Sequence, residues 1–253
     1  MDNFNVYKDI QARTKGEIYI GVVGPVRTGK STFIKRFMEL AVLPAMEDES
    51  LKAVSTDELP QSAGGKTVMT TEPKFIPKEA VQITLGDGIQ AKVRLIDCVG
   101  YMVDGAAGHV ENGEERMVKT PWSEKEIPFT QAAQIGTRKV IGDHSTIGIV
   151  VTTDGSVGEL KRSAYIDAEK QTVDELKKLG KPFILLLNST KPYSDETLKL
   201  AEQLAADYGV TVLPVSCEQL KKEDIFHILE SVLKEFPVTQ LDFHIPKWLE
   251  VLP

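Results

Sequence analysis

Residues 24–31, GPVRTGKS, fit G-x-x-x-x-G-K-[ST], the pattern of a phosphate-binding loop. In such a loop the glycines let the backbone wrap a phosphate so that successive N–H groups point inward, and the next helix N-terminus favours an anion. A strand pattern at 17–23 precedes the loop and an amphipathic helix pattern at 30–43 follows it, which is the required context. The sequence therefore predicts a nucleotide-phosphate site. Its expected contacts are Gly24, Arg27, Thr28, Gly29, Lys30, Ser31 and Thr32.

A second motif, DCVG at 97–100, fits Asp-x-x-Gly and follows a predicted strand. Asp97 would hold Mg²⁺, and the Gly100 N–H would face the γ-phosphate. Within the first motif, Lys30 would reach the β and γ phosphates, and Ser31 would ligate the same Mg²⁺. The two motifs together predict a metal-dependent nucleotide site.

Thr70 and Thr71 lie between these motifs, in a polar stretch that we expect to be a loop over 45–72. In switch-type NTPases a threonine there ligates Mg²⁺ and senses the γ-phosphate, and either residue fits the role. Three motifs in this order favour the GTPase-like class of phosphate-loop proteins over kinases. The predicted catalytic residues are Arg27, Lys30, Thr70, Thr71 and Asp97, and the predicted metal ligands are Ser31, Thr70, Thr71 and Asp97.

Two residues bear on the rate of hydrolysis. Arg27 lies inside the loop, where a guanidinium can stabilise transferred phosphoryl charge in cis; the alternative is a solvent-facing loop charge. Tyr101 follows Gly100, at the position where many fast hydrolysers carry a water-orienting Gln. These residue types predict slow turnover.

The base-reading loop departs from the GTPase pattern. The apolar run 183–187 ends in Asn188, where GTPases carry Asn-Lys-x-Asp, but Lys191 occupies the position of the Asp. That Asp accepts two hydrogen bonds from guanine, and losing such a pair changes discrimination by orders of magnitude. We therefore expect adenine as the base, with Asn188 near the nucleotide as a tie to the phosphate loop. Residues 216–218 follow the next strand and are candidates for a second base-contacting loop.

Strand and helix patterns alternate along most of the chain, which predicts a three-layer α/β fold with a mainly parallel sheet. Gly86-Asp87-Gly88 joins two strand patterns at 74–85 and 89–96, so one edge strand should be antiparallel. We expect one phosphate-loop domain over 1–236. Residues 101–128 are a long insertion, either a lid or an assembly surface. Residues 237–253 read as the start of a linker or a further domain.

Composition limits the function classes. The net charge of −7 argues against nucleic-acid binding, which needs clustered Lys and Arg. No apolar stretch approaches the ~20 residues of a membrane helix, and the N-terminus has no signal-peptide core. With only Cys98 and Cys217, no disulfide framework is indicated, and a cytoplasmic protein is expected.

Beyond the motifs, whole stretches resemble the stage IV sporulation protein A family, the coat-assembly ATPases of endospore-forming bacteria. The resemblance covers essentially the whole chain. The matching stretches are GVVGPVRTGKSTFIKRFMELAVLP, DELPQSAGGKTVMTTEPKF, RLIDCVGY, IGTRKVI, HSTIGIVVTTDG and KPFILLLN.

The resemblance implies a Mg²⁺-dependent ATPase of the mother-cell cytoplasm that self-assembles into a static layer at the forespore surface. It also implies docking on the membrane through a small amphipathic protein, stage V sporulation protein M, and contacts with other coat proteins, mostly through regions that follow this domain. Two alternatives stay open on the residues alone. One is a GTPase switch with a degenerate base-reading motif, and the other is a non-catalytic scaffold.

Overall fold

The computed structural model describes residues 16–60, 72–84, 90–106, 110–111 and 114–236. These residues form a six-stranded sheet, two short hairpins and six α-helices. The sheet strands are β1 (Glu17–Val23), β2 (Lys74–Thr84), β3 (Gln90–Asp97), β8 (Ile147–Thr153), β9 (Phe183–Asn188) and β10 (Val212–Val215). The hairpin strands are β4 (Val110–Glu111), β5 (Glu114–Glu115), β6 (Met117–Thr120) and β7 (Ser123–Pro128). The helices are α1 (Lys30–Phe37), α2 (Glu49–Asp57), α3 (Phe129–Lys139), α4 (Ile166–Lys178), α5 (Asp195–Tyr208) and α6 (Lys222–Lys234).

The strand order is β10-β9-β8-β1-β3-β2, and every pair is parallel except β2 with β3. This confirms the predicted mainly parallel sheet with one antiparallel edge strand. Strand β1 lies between β3 and β8, so strands that follow it in the chain are added on both sides of it. Crevices beyond the carboxyl ends of strands at such a switch point are where open α/β sheets bind ligands.

Alternate side chains of β1 enter two separate cores, because successive residues of a strand point to opposite faces. Ile20 and Val22 belong to the core under α1 and α6, whereas Val23 belongs to the core under α4 and α5. Helices therefore cover both faces of the sheet, which confirms the three-layer architecture.

Helix α5 follows the sequence signals at both ends. The Ser194 hydroxyl accepts a hydrogen bond from the Thr197 N–H at the N-terminus, and Gly209 ends the helix in the left-handed conformation with φ of 59°. The helix predicted over 30–43 is α-helical only to Phe37 and continues as a π-helical turn, Met38–Val42, and a 3₁₀ turn, Leu43–Ala45. Pro44 lies inside that last turn.

Helix α2 corrects the prediction of a loop over 45–72. Asp48 caps it by accepting hydrogen bonds from the N–H groups of Ser50 and Leu51. Leu51 and Val54 remain about half exposed, so the helix has no buried apolar stripe that periodicity could reveal. Within 101–128 the described residues form the two short hairpins, β4–β5 and β6–β7. Among the described residues, no helix is long and apolar enough to cross a membrane.

Candidate nucleotide-binding site

The predicted phosphate loop connects β1 to α1. Gly24 and Gly29 have φ of 127° and 98°, values that glycine adopts without the steric cost of a Cβ atom. At Gly24 a Cβ would also lie 2.4 Å from the Val151 carbonyl oxygen. The Thr28 hydroxyl donates a hydrogen bond to the Pro25 carbonyl at 3.0 Å and so holds the turn closed.

Lys30 is buried at the start of α1. Its Nζ donates hydrogen bonds to the carbonyl oxygens of Pro25 at 2.6 Å and Gly24 at 3.3 Å, so the ammonium group lies against the loop. Burial lowers the pKa of Lys30, and the nearby Cys98 and Asp97 oppose that shift. The lysine thus lies at the loop, which is the position that the predicted contact with phosphate needs.

Asp97 is the last residue of β3 and pairs in register with Val22, two residues before the phosphate loop. Burial raises the pKa of its carboxyl to about 6, while the Lys30 charge and hydrogen bonds from the Cys98 backbone and the Ser31 side chain lower it. Its Oδ1 atom is buried and has no hydrogen-bond partner among the described residues. An unpaired buried carboxylate oxygen is costly, and coordination of a cation would relieve that cost. Asp97 and Ser31 therefore fit a Mg²⁺ site, since Mg²⁺ prefers oxygen ligands.

The Asp-x-x-Gly motif lies directly on the phosphate loop. Gly100 has φ of 94°, and a Cβ there would lie 2.1 Å from the Gly24 carbonyl oxygen and 2.7 Å from the Lys30 ammonium. The next residue, Tyr101, accepts a hydrogen bond at its carbonyl oxygen from the Val26 N–H at 2.9 Å. The two motifs are thus joined by main-chain contacts.

The Tyr101 side chain points into the protein. The ring is 1% exposed and packs in a cluster with Val26 and Tyr165. Its hydroxyl donates to the Glu175 carboxylate, which also accepts a hydrogen bond from Arg138 Nε at 2.9 Å. Burial and the neighbouring Glu175 carboxylate raise the pKa of Tyr101 far above its ordinary range. Glu175 and Arg138 gave no signal in the sequence, because nothing local marks a carboxylate on one helix as the partner of a distant tyrosine.

Asn188 forms the predicted tie to the phosphate loop. Its Nδ2 donates to the Thr28 carbonyl at 2.9 Å, and its Oδ1 accepts from the Cys217 N–H at 3.0 Å. A Cβ at Gly29 would lie 2.3 Å from the same Nδ2 atom. One side chain therefore holds the phosphate loop beside the ends of β9 and β10.

Lys191 is exposed, and its backbone N–H donates to the buried Ser189 hydroxyl at 3.0 Å. The carboxylate that would grip guanine is absent from this position. Arg27 is half-buried with φ of 61°. Burial raises the pKa of Tyr165, and the positive charge of Arg27 opposes that shift. Thr32 is half-buried in the first turn of α1. Thr70 and Thr71 lie outside the described residues.

Comparison with known proteins places the chain in one family. The sequence model of "Stage IV sporulation protein A, ATPase domain" matches residues 1–237. The chain belongs to this family. Stage IV sporulation protein A of Bacillus subtilis (strain 168) and of Bacillus anthracis are each 52% identical over 252 residues, and that of Clostridioides difficile (strain 630) is 52% identical over 250 residues. The resemblance noted from the motifs is thereby confirmed.

The chain covers 99–100% of its own length in these alignments but 51% of each relative, so it spans about half the length of the curated stage IV sporulation proteins it matches. The matched region is an ATPase domain, as the motifs predicted. Among solved structures, a crystal structure of an SsGBP mutation variant aligns with a TM-score of 0.48 and 14% identity, over 89% of this chain and 58% of that one.

Proposed function

We propose that this chain binds ATP with Mg²⁺ and hydrolyses it slowly. The observation that carries the proposal is the unpaired, buried Oδ1 atom of Asp97, which lies in a charged cluster with the Lys30 ammonium at the phosphate loop. A scaffold that had lost its chemistry would have no need of a buried carboxylate without a hydrogen-bond partner. Membership of an ATPase-domain family supports the same activity.

Each residue of the site has a role that its position supports. The backbone N–H groups of the loop and the Lys30 ammonium would bind the β and γ phosphates, and the Gly100 N–H would contact the γ-phosphate. Ser31 and Asp97 would hold Mg²⁺, which neutralises charge on the phosphoryl group when it is bound. Arg27 would add positive charge from the loop itself. Asn188 would hold the phosphate loop next to the segment that contacts the base.

The position of Tyr101 supports the proposal of slow hydrolysis. A side chain that orients the attacking water must reach into the site, but Tyr101 is buried and bonded to Glu175. The phenol therefore does not replace the Gln of fast hydrolysers. Either Thr70 or Thr71 would then contribute to the reaction as the residue that ligates Mg²⁺ and senses the γ-phosphate.

The family supports a wider role that goes beyond the site. We propose that hydrolysis drives self-assembly into the basal layer of the spore coat, in the mother-cell cytoplasm at the forespore surface. The partners would be other copies of the chain, other coat proteins and the amphipathic stage V sporulation protein M, with the membrane contacted indirectly and no nucleic acid bound. Residues 1–236 would form the ATPase domain, and 237–253 would begin a linker or a further domain.

A parallel titration of the purified chain with ATP and GTP, each with Mg²⁺, tests the proposal. Because Lys191 replaces the guanine-reading carboxylate, we expect ATP to bind at least about a hundredfold more tightly than GTP. Phosphate release in the same samples should be slow and should require Mg²⁺. Tighter binding of GTP would show that the base is read by other groups and would return the chain to the GTPase class.

Replacing both Thr70 and Thr71 with Ala separates turnover from binding. Removal of a metal ligand that acts mainly in the transition state lowers kcat and leaves ground-state binding intact. We therefore expect ATP affinity within about twofold of the original and kcat lower by about 100-fold, a value typical for the loss of one transition-state contact. An unchanged rate of phosphate release would reject the role of both threonines.

A further inference from the structure

Two loops at the carboxyl edge of the sheet are bonded to each other beside the predicted base position. The Asp154 carboxylate follows β8 and accepts, at Oδ1, hydrogen bonds from the Ser156 N–H at 2.8 Å and the Ser156 hydroxyl at 2.6 Å. The same hydroxyl oxygen accepts a hydrogen bond from the Thr190 N–H at 2.9 Å. Thr190 lies two residues after Asn188, so the loop after β8 is joined to the segment that should read the base.

The other carboxylate oxygen of Asp154 extends the network into α5. Its Oδ2 accepts from the Thr197 hydroxyl at 3.4 Å, and that hydroxyl lies 2.9 Å from the Ser194 hydroxyl and 3.4 Å from the Ser189 hydroxyl. Burial alone would raise the pKa of Asp154, but hydrogen bonds from Ser156, Ser189 and Thr197 outweigh it and keep the pKa below its usual range. The carboxylate is therefore charged and bonded from several sides.

The loop that carries Asp154 is itself held by a buried ion pair. Glu169 is fully buried and accepts hydrogen bonds from Arg162 Nη1 at 2.5 Å and Nη2 at 2.7 Å. Arg162 Nη1 also donates to the Thr153 carbonyl at 3.2 Å, and a Cβ at Gly155 would lie 2.7 Å from the Arg162 backbone nitrogen. The residues before and after Asp154, Thr153 and Gly155, are thus both held against Arg162.

These bonds determine which backbone groups of residues 189–191 are available to a ligand. The N–H of Thr190 donates to Ser156 and the N–H of Lys191 donates to Ser189. Among the described residues, no backbone N–H donates a hydrogen bond to the carbonyl oxygens of Ser189 and Thr190. The segment therefore offers acceptors. Backbone carbonyl oxygens accept hydrogen bonds from amino groups such as N6 of adenine, the base expected from Lys191, so the segment can contact the base of ATP.

On the basis of the function proposed above, we infer that Asp154 and Ser156 are positioning residues for adenine recognition. They hold residues 189–191 with the N–H groups engaged, so that backbone carbonyls meet the base in place of the missing guanine-reading carboxylate. Asn188 places this segment at the phosphate loop, since its amide bonds to Thr28. Neither Asp154 nor Ser156 is expected to touch the phosphates.

Ser156→Ala tests the inference by comparing two ligands that share the triphosphate but differ in the base. Loss of the Thr190 contact should weaken Mg²⁺-ATP binding about fivefold to tenfold, the range for one hydrogen bond, while inorganic tripolyphosphate binds within about twofold of the original protein. The KM for ATP should rise with kcat unchanged. Ser156→Thr keeps the hydroxyl and should restore ATP affinity, and Asp154→Ala, which removes the oxygen that holds Ser156, should behave like Ser156→Ala.

Ser231→Ala is the matched control, because within the described part of the chain this hydroxyl bonds only to the His227 carbonyl on α6, so its loss should leave both ligands unaffected. An equal loss of ATP and tripolyphosphate affinity in Ser156→Ala would overturn the inference, and so would unchanged ATP affinity. If the original protein binds tripolyphosphate but shows no preference for ATP over GTP, the proposed nucleotide itself is wrong. That outcome is visible before any variant is made.

Discussion

Lys30→Ala should abolish measurable ATP binding. The ammonium group is buried at the phosphate loop, where it donates hydrogen bonds to two of the loop's own carbonyl groups. Hydrogen bonds to a charged partner contribute roughly 1.5–3 kcal/mol each, so the loss of two contacts to phosphate weakens binding by at least about 100-fold. Isothermal titration with Mg²⁺-ATP measures the effect directly.

The fold should survive this substitution. Removal of a buried charge relieves its desolvation cost, and this gain is offset by the two loop carbonyls that lose their donor and by the Asp97 carboxylate that loses its counter-charge. Lys35→Ala on the same helix is the matched control, because its side chain is 43% exposed and lies 3.9 Å from Glu39 at the surface. Thermal unfolding of both variants should stay close to that of the original protein. Undiminished ATP affinity in Lys30→Ala would remove the loop from the nucleotide site.

Gly100→Ala should stop hydrolysis while ADP still binds. A Cβ at this position would lie 2.1 Å from the Gly24 carbonyl oxygen, and a backbone atom cannot turn aside as a flexible side chain can. The Asp-x-x-Gly motif would have to move off the phosphate loop, and the Gly100 N–H would lose its place at the γ-phosphate. We expect kcat to fall by about 100-fold or more, since loss of one preorganised donor costs that much in other enzymes. Phosphate release and ADP titration together report the two effects.

Gly180→Ala provides a control at another glycine with a positive φ, where a Cβ atom makes no contact. Gly180 has φ of 63°, and a Cβ there would meet no atom within 4 Å. This variant should lose only the roughly 1 kcal/mol of stability that a left-handed conformation costs a residue with a Cβ, and its kcat should be unchanged. If Gly100→Ala behaves like this control, contact between the two motifs is not needed for hydrolysis.

The local features of the chain could be predicted from its sequence. The phosphate loop was predictable because its glycines, lysine and serine act within eight consecutive residues, between a strand and a helix whose periods are visible. Helix α5 was predictable for the same reason, since Ser194 and Gly209 cap its own ends. Helix α2 was missed because its start is marked only by the single cap at Asp48. Its apolar residues stay partly exposed and form no stripe that would indicate a helix.

The sequence by itself determined the fold class, the phosphate loop, the position of Asp97 and the absence of the guanine-reading carboxylate at Lys191. These features depend on residue types at short, regular spacing. Only the tertiary structure decided that Tyr101 turns away from the site to Glu175, and that Ser156 bonds to Thr190. Such contacts join residues far apart in the chain, and the pairing of strands around β1 determines which of many hydroxyl and carboxyl groups meet. For that reason a nucleotide-phosphate site could be predicted from the motifs, whereas the groups proposed to position the base could not.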